Sequence, residues 1–136
     1  MSNRQVTIAI DAMGGENSPF KCLKGLEIFN QHKSNVNYKI FGEESLIINS
    51  IKQNKLNIGN FDIVDCKNNV LDEDNANTIL RSRKNSSIYQ GLMYVKENTN
   101  SGFVSAGNTA ALMILSRLIL GMIEGASRPA TCSKIP

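Results

Sequence analysis

An α/β fold, with a mainly parallel sheet between two helical layers (a three-layer αβα arrangement), is what this sequence of 136 residues predicts. Two observations carry that reading. Short β-rich runs alternate with longer segments whose apolar residues recur at helical spacing, and repeated β-then-α units argue for parallel strands with helices on both faces. Two of the strands also run through glycine-bearing turns directly into helices. A chain of this length that is 41% hydrophobic supports one modest core, read as a single domain over residues 1–136.

The elements follow in order. Val6-Thr7-Ile8-Ala9-Ile10-Asp11 is the first strand. Ser18 is placed to cap the next helix, with Pro19 at its first position. That helix extends from about Pro19 to His32, and Leu23, Leu26 and Phe29 recur at three-residue steps on the face to be buried. Tyr38 to Gly42 is the second strand, and Glu43 to Lys55 the second helix, with Leu46, Ile47 and Ile51 inward. Phe61 to Cys66 is the third strand. The polar stretch from Lys67 to Asn77, which carries Asp72-Glu73-Asp74, reads as a surface loop. One or two helical pieces reach about Asn98, followed by a buried strand, Gly102 to Ser105, and an apolar helix, Ala110 to Ile123. The last run is too short to cross a membrane, which takes about 20 apolar residues, and Arg117 interrupts it, so it reads as a core helix.

Two loops concentrate the chemistry. After the last strand, Ser105-Ala106-Gly107-Asn108-Thr109 turns into a helix, and the orphan N–H groups and dipole of such a helix start attract anions. After the first strand, Gly14-Gly15 lets the backbone approach a ligand closely, and Asp11 lies at the carboxyl end of its strand, where open α/β sheets bind ligands. The basic group Arg81, Arg83 and Lys84 reads either as helix-end charge or as an anion contact. Ser86 and Ser87 either cap the following helix or add hydroxyl donors.

Other chemistries have little support. Cys22, Cys66 and Cys132 are widely spaced and odd in number, with no metal-like pairing, and fit a reducing cytosol better than a disulfide framework. The single His32 lies at a polar helix end. A net charge of +3 is too small to argue for nucleic acid. The start leads straight into a strand, without the apolar core of a signal peptide. No Gly-x-Gly-x-x-Gly follows the first strand, which disfavours a Rossmann dinucleotide site.

In this order, Asp11-Ala12-Met13-Gly14-Gly15, Leu80-Arg81 with Lys84-Asn85-Ser86-Ser87, Val104-Ser105-Ala106-Gly107-Asn108-Thr109 and Arg128-Pro129-Ala130 resemble the amino-terminal half of the bacterial phosphate acyltransferase of phospholipid synthesis, the PlsX family. The resemblance runs from about Val6 to the last residue. It departs from the family at Glu16-Asn17-Ser18-Pro19, where Asp-x-Gly-Pro is usual, and at Asn108-Thr109-Ala110-Ala111, where Asn-Thr-Gly-Ala is usual. Family members are also more than twice as long.

The resemblance implies an incomplete fold similar to that of the isocitrate and isopropylmalate dehydrogenases. The implied activity transfers a long-chain acyl group from acyl carrier protein to inorganic phosphate, without a cofactor or metal. Implied phosphate and substrate contacts are Asp11, Gly14, Gly15, Asn17, Arg81, Lys84, Ser86, Ser105, Gly107, Asn108 and Thr109. Also implied are a homodimer and a cytoplasmic location with loose association at the inner membrane face. Two alternatives remain open: an inactive fragment of that enzyme, and a related phosphotransacetylase acting on acyl-CoA. A half sheet should leave an unpaired edge and exposed apolar surface, and hence poor solubility or self-association.

Overall fold

A computed structural model describes residues 5–32, 36–67, 74, 76–130 and 132. The element order is β1 (Val6–Asp11), α1 (Phe20–Asn30), β2 (Val36–Gly42), α2 (Glu44–Asn54), β3 (Phe61–Asp65), α3 (Ala76–Ser82), α4 (Ser87–Glu97), β4 (Ser101–Ser105) and α5 (Thr109–Ile119). The strands form one parallel sheet in the order β3-β2-β1-β4. Ile8 stands opposite Tyr38 and Gly102, and Asp11 opposite Phe41 and Ser105.

The period of two along β1 sorts its side chains between the faces. Ile8 and Ile10 join Leu23 and Leu26 of α1, Ile47 of α2, and Tyr38 and Ile40 of β2 in one core. Ala9 faces the other way, packing with Phe41, Cys66 and Phe103 and with Tyr94 and Val95 of α4. A third cluster joins Ile79 of α3, Ile88 and Leu92 of α4, and Ala111, Leu115 and Ile119 of α5. Helices therefore cover both faces, as the β–α alternation predicts.

Several local expectations are corrected. Helix α1 starts at Phe20 with Pro19 as its N-cap, and no side chain caps it. The Ser18 hydroxyl instead donates back to the carbonyls of Gly14, at 2.6 Å, and Gly15, at 2.8 Å. Phe29 is 44% exposed and Leu46 41% exposed rather than inward. Each three-residue step falls about 60° short of a full turn, so the third member of such a series has left the buried stripe. Leu46 lies about 100° round the helix from the buried Ile47. Strand β2 begins at Val36, two residues earlier than expected.

Helix α5 ends at Ile119, and Gly121, at φ 85°, follows its cap residue Leu120. It buries one stripe only, leaving Ile114, Leu118 and Leu120 exposed, with Met122 and Ile123 exposed beyond it. Among the described residues, no helix is long and apolar enough to cross a membrane. Of the expected acidic loop, Asp72 and Glu73 lie outside the described residues. Asp74 accepts from Arg83 Nε at 3.1 Å.

Candidate functional site

The loops that follow β1 and β4 meet because those strands are neighbours in the sheet. Asp11, the last residue of β1, is only 4% exposed. Its Oδ1 accepts from the Met13 amide at 3.0 Å, and its Oδ2 from the Ser105 hydroxyl at 2.7 Å. The Ser105 oxygen in turn accepts from the Gly107 amide at 3.1 Å. This relay pins one loop to the other across 94 positions of sequence. It also satisfies a buried carboxylate, which would otherwise be costly to desolvate.

The two backbones then touch. A Cβ on Gly14 would stand 2.6 Å from the Gly107 amide nitrogen and 2.7 Å from Asp11 Oδ2. Any side chain at Gly14 would force the loops apart.

Two helix starts face the same junction. In α5, Asn108 is the N-cap, and its Oδ1 accepts from the Ala111 amide at 2.9 Å. In α4, Ser86 is the N-cap, fully buried, and accepts from the Tyr89 amide at 3.4 Å. Each cap satisfies the third amide of its helix, and the fourth is taken by the cap carbonyl, as Gln90 to Ser86 and Leu112 to Asn108. The first two amides of each helix, on Ser87 and Ile88 and on Thr109 and Ala110, are left for other partners.

A cleft of about 30 Å³ between the helix starts is lined by Asp11, Met13, Gly14, Ser87, Ile88, Gly107 and Asn108. Two dipole ends converge on it, a field that favours an anion. On the other side of the Gly14-Gly15 and Ser105-Ala106 loops lies a larger apolar groove of about 630 Å³, bordered by Ile8, Ile10, Cys22, Leu26, Phe29 and Val104.

Of the residues singled out in the sequence, Asp11, Gly14, Gly107 and Asn108 come together at the small cleft. Ser105 lies directly behind it through the Asp11 bond. Gly15 borders the apolar groove, and Thr109 is the first residue of α5. Asn17 is exposed with φ 55°. Arg81 and Lys84 are exposed and line neither cavity. Ser86 serves as the α4 cap, while Ser87 reaches the cleft. Ser87, read with Ser86 as a cap or a hydroxyl donor, lines the cleft, and Ile88 and Met13 are lining residues that sequence reasoning did not name as contacts. The Ser86-Ser87 pair opening an apolar helix was the available signal.

Burial, with the Asp11 charge adding to it, pushes the Cys22 thiol up to about 11. Burial also lifts Cys66 to about 11, Asp65 and Asp11 adding to it while a bond from the Gly42 backbone pulls the other way. Such thiols stay protonated near neutrality and are poor nucleophiles. Among the described residues, no three His, Cys, Asp or Glu side chains are grouped to hold a metal ion.

The class defined by these features is a parallel α/β protein whose strand-end loops meet over a cleft ringed by helix starts. Within that class the chain belongs to the family described as fatty acid synthesis protein, whose model matches residues 6–136. It is 38% identical over 129 residues to the phosphate acyltransferase of Caldicellulosiruptor bescii, covering 95% of this chain and 39% of that protein. The phosphate acyltransferase of Pelagibacter ubique is 39% identical over 133 residues, and that of Ehrlichia ruminantium 35% identical over 134; each match covers 96% of this chain and 39% of the relative. The chain thus spans about two-fifths of the length of the curated relatives it matches.

Proposed function

We propose that this chain supplies the phosphate-holding part of a phosphate acyltransferase, which moves an acyl group from the thioester of acyl carrier protein to inorganic phosphate. The observation that carries the proposal is the convergence of the α4 and α5 N-termini on the cleft beside the Gly14–Gly107 contact. The names of the relatives support it as well.

In the proposed reaction a phosphate oxygen attacks the thioester carbonyl carbon. The C–S bond then breaks, the carrier leaves as a thiolate that takes up a proton, and acyl phosphate remains. Phosphate is itself the nucleophile, so the two high-pKa thiols, Cys22 and Cys66, need not act. The open amides at Ser87, Ile88, Thr109 and Ala110 hold phosphate or the developing oxyanion, and preorganised donors of this kind supply much of the acceleration.

Asn108 gives its side-chain oxygen to the helix, so its part is to shape the turn rather than to grip phosphate directly. Asp11 is a positioning residue: a carboxylate repels phosphate, and this one locks Ser105 and, through it, Gly107. Gly15 and Asn17 curve the facing wall. Ser86 sets the α4 start. Arg81 and Lys84, exposed on the segment before α4, attract the anionic carrier or phosphate from outside the cleft.

The reading takes residues 1–136 as one α/β domain, the amino-terminal portion of a fold similar to that of the isocitrate and isopropylmalate dehydrogenases. It also places the protein in the cytoplasm as a homodimer held loosely at the inner membrane face. The exposed Leu118, Leu120 and Ile123 support such contacts.

The test is phosphate binding to the chain by ³¹P line broadening, with Asn108→Asp as the variant. Aspartate caps a helix as well as asparagine does but adds a negative charge at the cleft. The expected result is saturable binding, weakened at least about ten-fold by Asn108→Asp at an unchanged melting temperature. Equal broadening by both proteins overturns the assignment. Thiol release from acyl carrier protein in a complete relative carrying the same change, with product trapped by hydroxylamine, must fall in parallel.

A further inference from the structure

One glycine of the sheet is called for by space rather than by conformation. Gly42 closes β2, is buried, and does not take the positive φ found at Gly15, Gly59, Gly121 and Gly125. A glycine in an ordinary strand conformation marks a place where another group comes close. Here that group is Met13. A Cβ on Gly42 would stand 2.9 Å from Met13 Cγ and 3.0 Å from its Sδ, with Ile47 Cδ1 at 3.1 Å. The Met13 side chain therefore lies across the end of β2, beside Ile47 of α2.

Neither side of this contact is free to retreat. Gly42 is paired with Asp65 of β3, and its carbonyl accepts from the Cys66 amide at 2.9 Å. Ile47 is fully buried. On the loop side, the Ala12 amide donates to the Phe41 carbonyl at 3.0 Å, and the Met13 amide to Asp11 Oδ1 at 3.0 Å. Gly14 follows at once, and its backbone lies against that of Gly107. Met13 itself lines the small cleft between the helix starts. A Met13 side chain crowded off Gly42 must swing into the cleft or push the Met13-Gly14 backbone, and either move alters the place proposed for phosphate. Methionine is unbranched and adaptable, so crowding it costs the fold less than it costs the cleft.

We infer that Gly42 is a positioning residue for the anion cleft: its missing side chain seats Met13, and the seated Met13 fixes the Gly14 backbone against Gly107. The inference rests on the proposed reading of the cleft as a phosphate site. It adds to that site a residue that lines neither the cleft nor the groove and stands on the far side of β1 from β4.

The experiment measures phosphate binding to the chain by ³¹P line broadening, together with the amide signal of Gly107, in Gly42→Ala. The expected result is a shifted Gly107 signal and an affinity lowered about five-fold or more. In a Met13→Ala background, which empties the seat, Gly42→Ala should cost less than about two-fold, because the crowded partner is gone. Gly59→Ala is the structural control: on the loop before β3, at φ 84°, a Cβ would meet Asn30 Nδ2 at 2.7 Å. It should lower the melting temperature and leave phosphate affinity unchanged. If Gly42→Ala does not fold, Met13→Ala reads the seat from its other side and must itself shift Gly107 and weaken phosphate. The inference is overturned by an unchanged Gly107 signal and affinity in the folded variant, by an equal loss in both backgrounds, or by an equal loss in Gly59→Ala. An unaltered chain that binds no phosphate overturns the reading of the cleft, and the positioning role falls with it. Binding that Gly42→Ala leaves intact overturns the positioning role alone.

Discussion

The half of the molecule from β1 to β3 and the half formed by β4 and α5 follow the same β-then-α plan but finish differently. In the first, α1 and α2 cover the sheet, and Leu23, Ile40 and Ile47 are fully enclosed. In the second, one stripe of α5 reaches the core, while Val104, Leu118 and Ile123 (85% exposed) face outward. The lesson is that burial here is set by topology as much as by hydrophobicity. An internal strand has neighbours to complete its surroundings, whereas β4 and α5 are apolar toward surfaces that nothing among the described residues fills.

Thiol chemistry gives the widest contrast. With a pKa near 11, Cys22 and Cys66 are thiolate to only about one part in a thousand at pH 8. Iodoacetamide at that pH should therefore modify the exposed Cys132 first, by orders of magnitude, as read by peptide mass. Cys22, half-buried beside the open groove, should follow as the pH rises toward 11, and the enclosed Cys66 only on unfolding. Labelling of Cys66 ahead of Cys22 would mean that the core around Ala9 and Phe41 opens more readily than the wall of the groove.

Truncating the closed half should cost most in stability. Ile40→Ala removes a fully buried side chain and should lower the unfolding free energy by about 2–5 kcal/mol in a urea titration. Gly91→Ala tests the junction between the halves, since a Cβ there would meet the Phe103 ring at 2.2 Å. Overpacking of that kind should destabilise by about 1–3 kcal/mol. Asn108→Ala removes the α5 cap and should cost about 1 kcal/mol. Leu118→Ala, on the uncovered stripe, should stay within about 0.5 kcal/mol. A cost for Leu118→Ala near that of Ile40→Ala would mean that α5 is already covered in solution.

Much of the architecture was legible because strand and helix periods differ, and the runs around Ile8, Ile40 and Ile63 show theirs plainly. The Gly107-Asn108-Thr109 turn was legible for the same kind of local reason: an N-cap residue stood at the start of an apolar helix. What sequence could not show was contact at a distance. That Asp11 would be spent on Ser105 depends on β1 and β4 being neighbours, and propensity does not fix that order. The Ser18 hydroxyl turned from capping to the Gly14 and Gly15 carbonyls because the loop folds back on itself. The end of α5 was overrun in the sequence reading because apolar content continued through Ile123. Gly121 was the stop signal within it.

The bond between Asp11 and Ser105 also has a consequence for when the cleft comes into being. Its two walls lie 94 residues apart, so it cannot assemble from either end of the chain alone. During synthesis β1, β2 and β3 leave the ribosome and can pair while the cleft does not yet exist. It closes only when β4 docks against β1, one of the longest-range pairings in the sheet and therefore among the slower to form. An anion that binds there would pull that final docking forward by mass action. The protein's ligand would then serve as a clamp on its last strand, and its absence would be felt first as a loosened sheet edge.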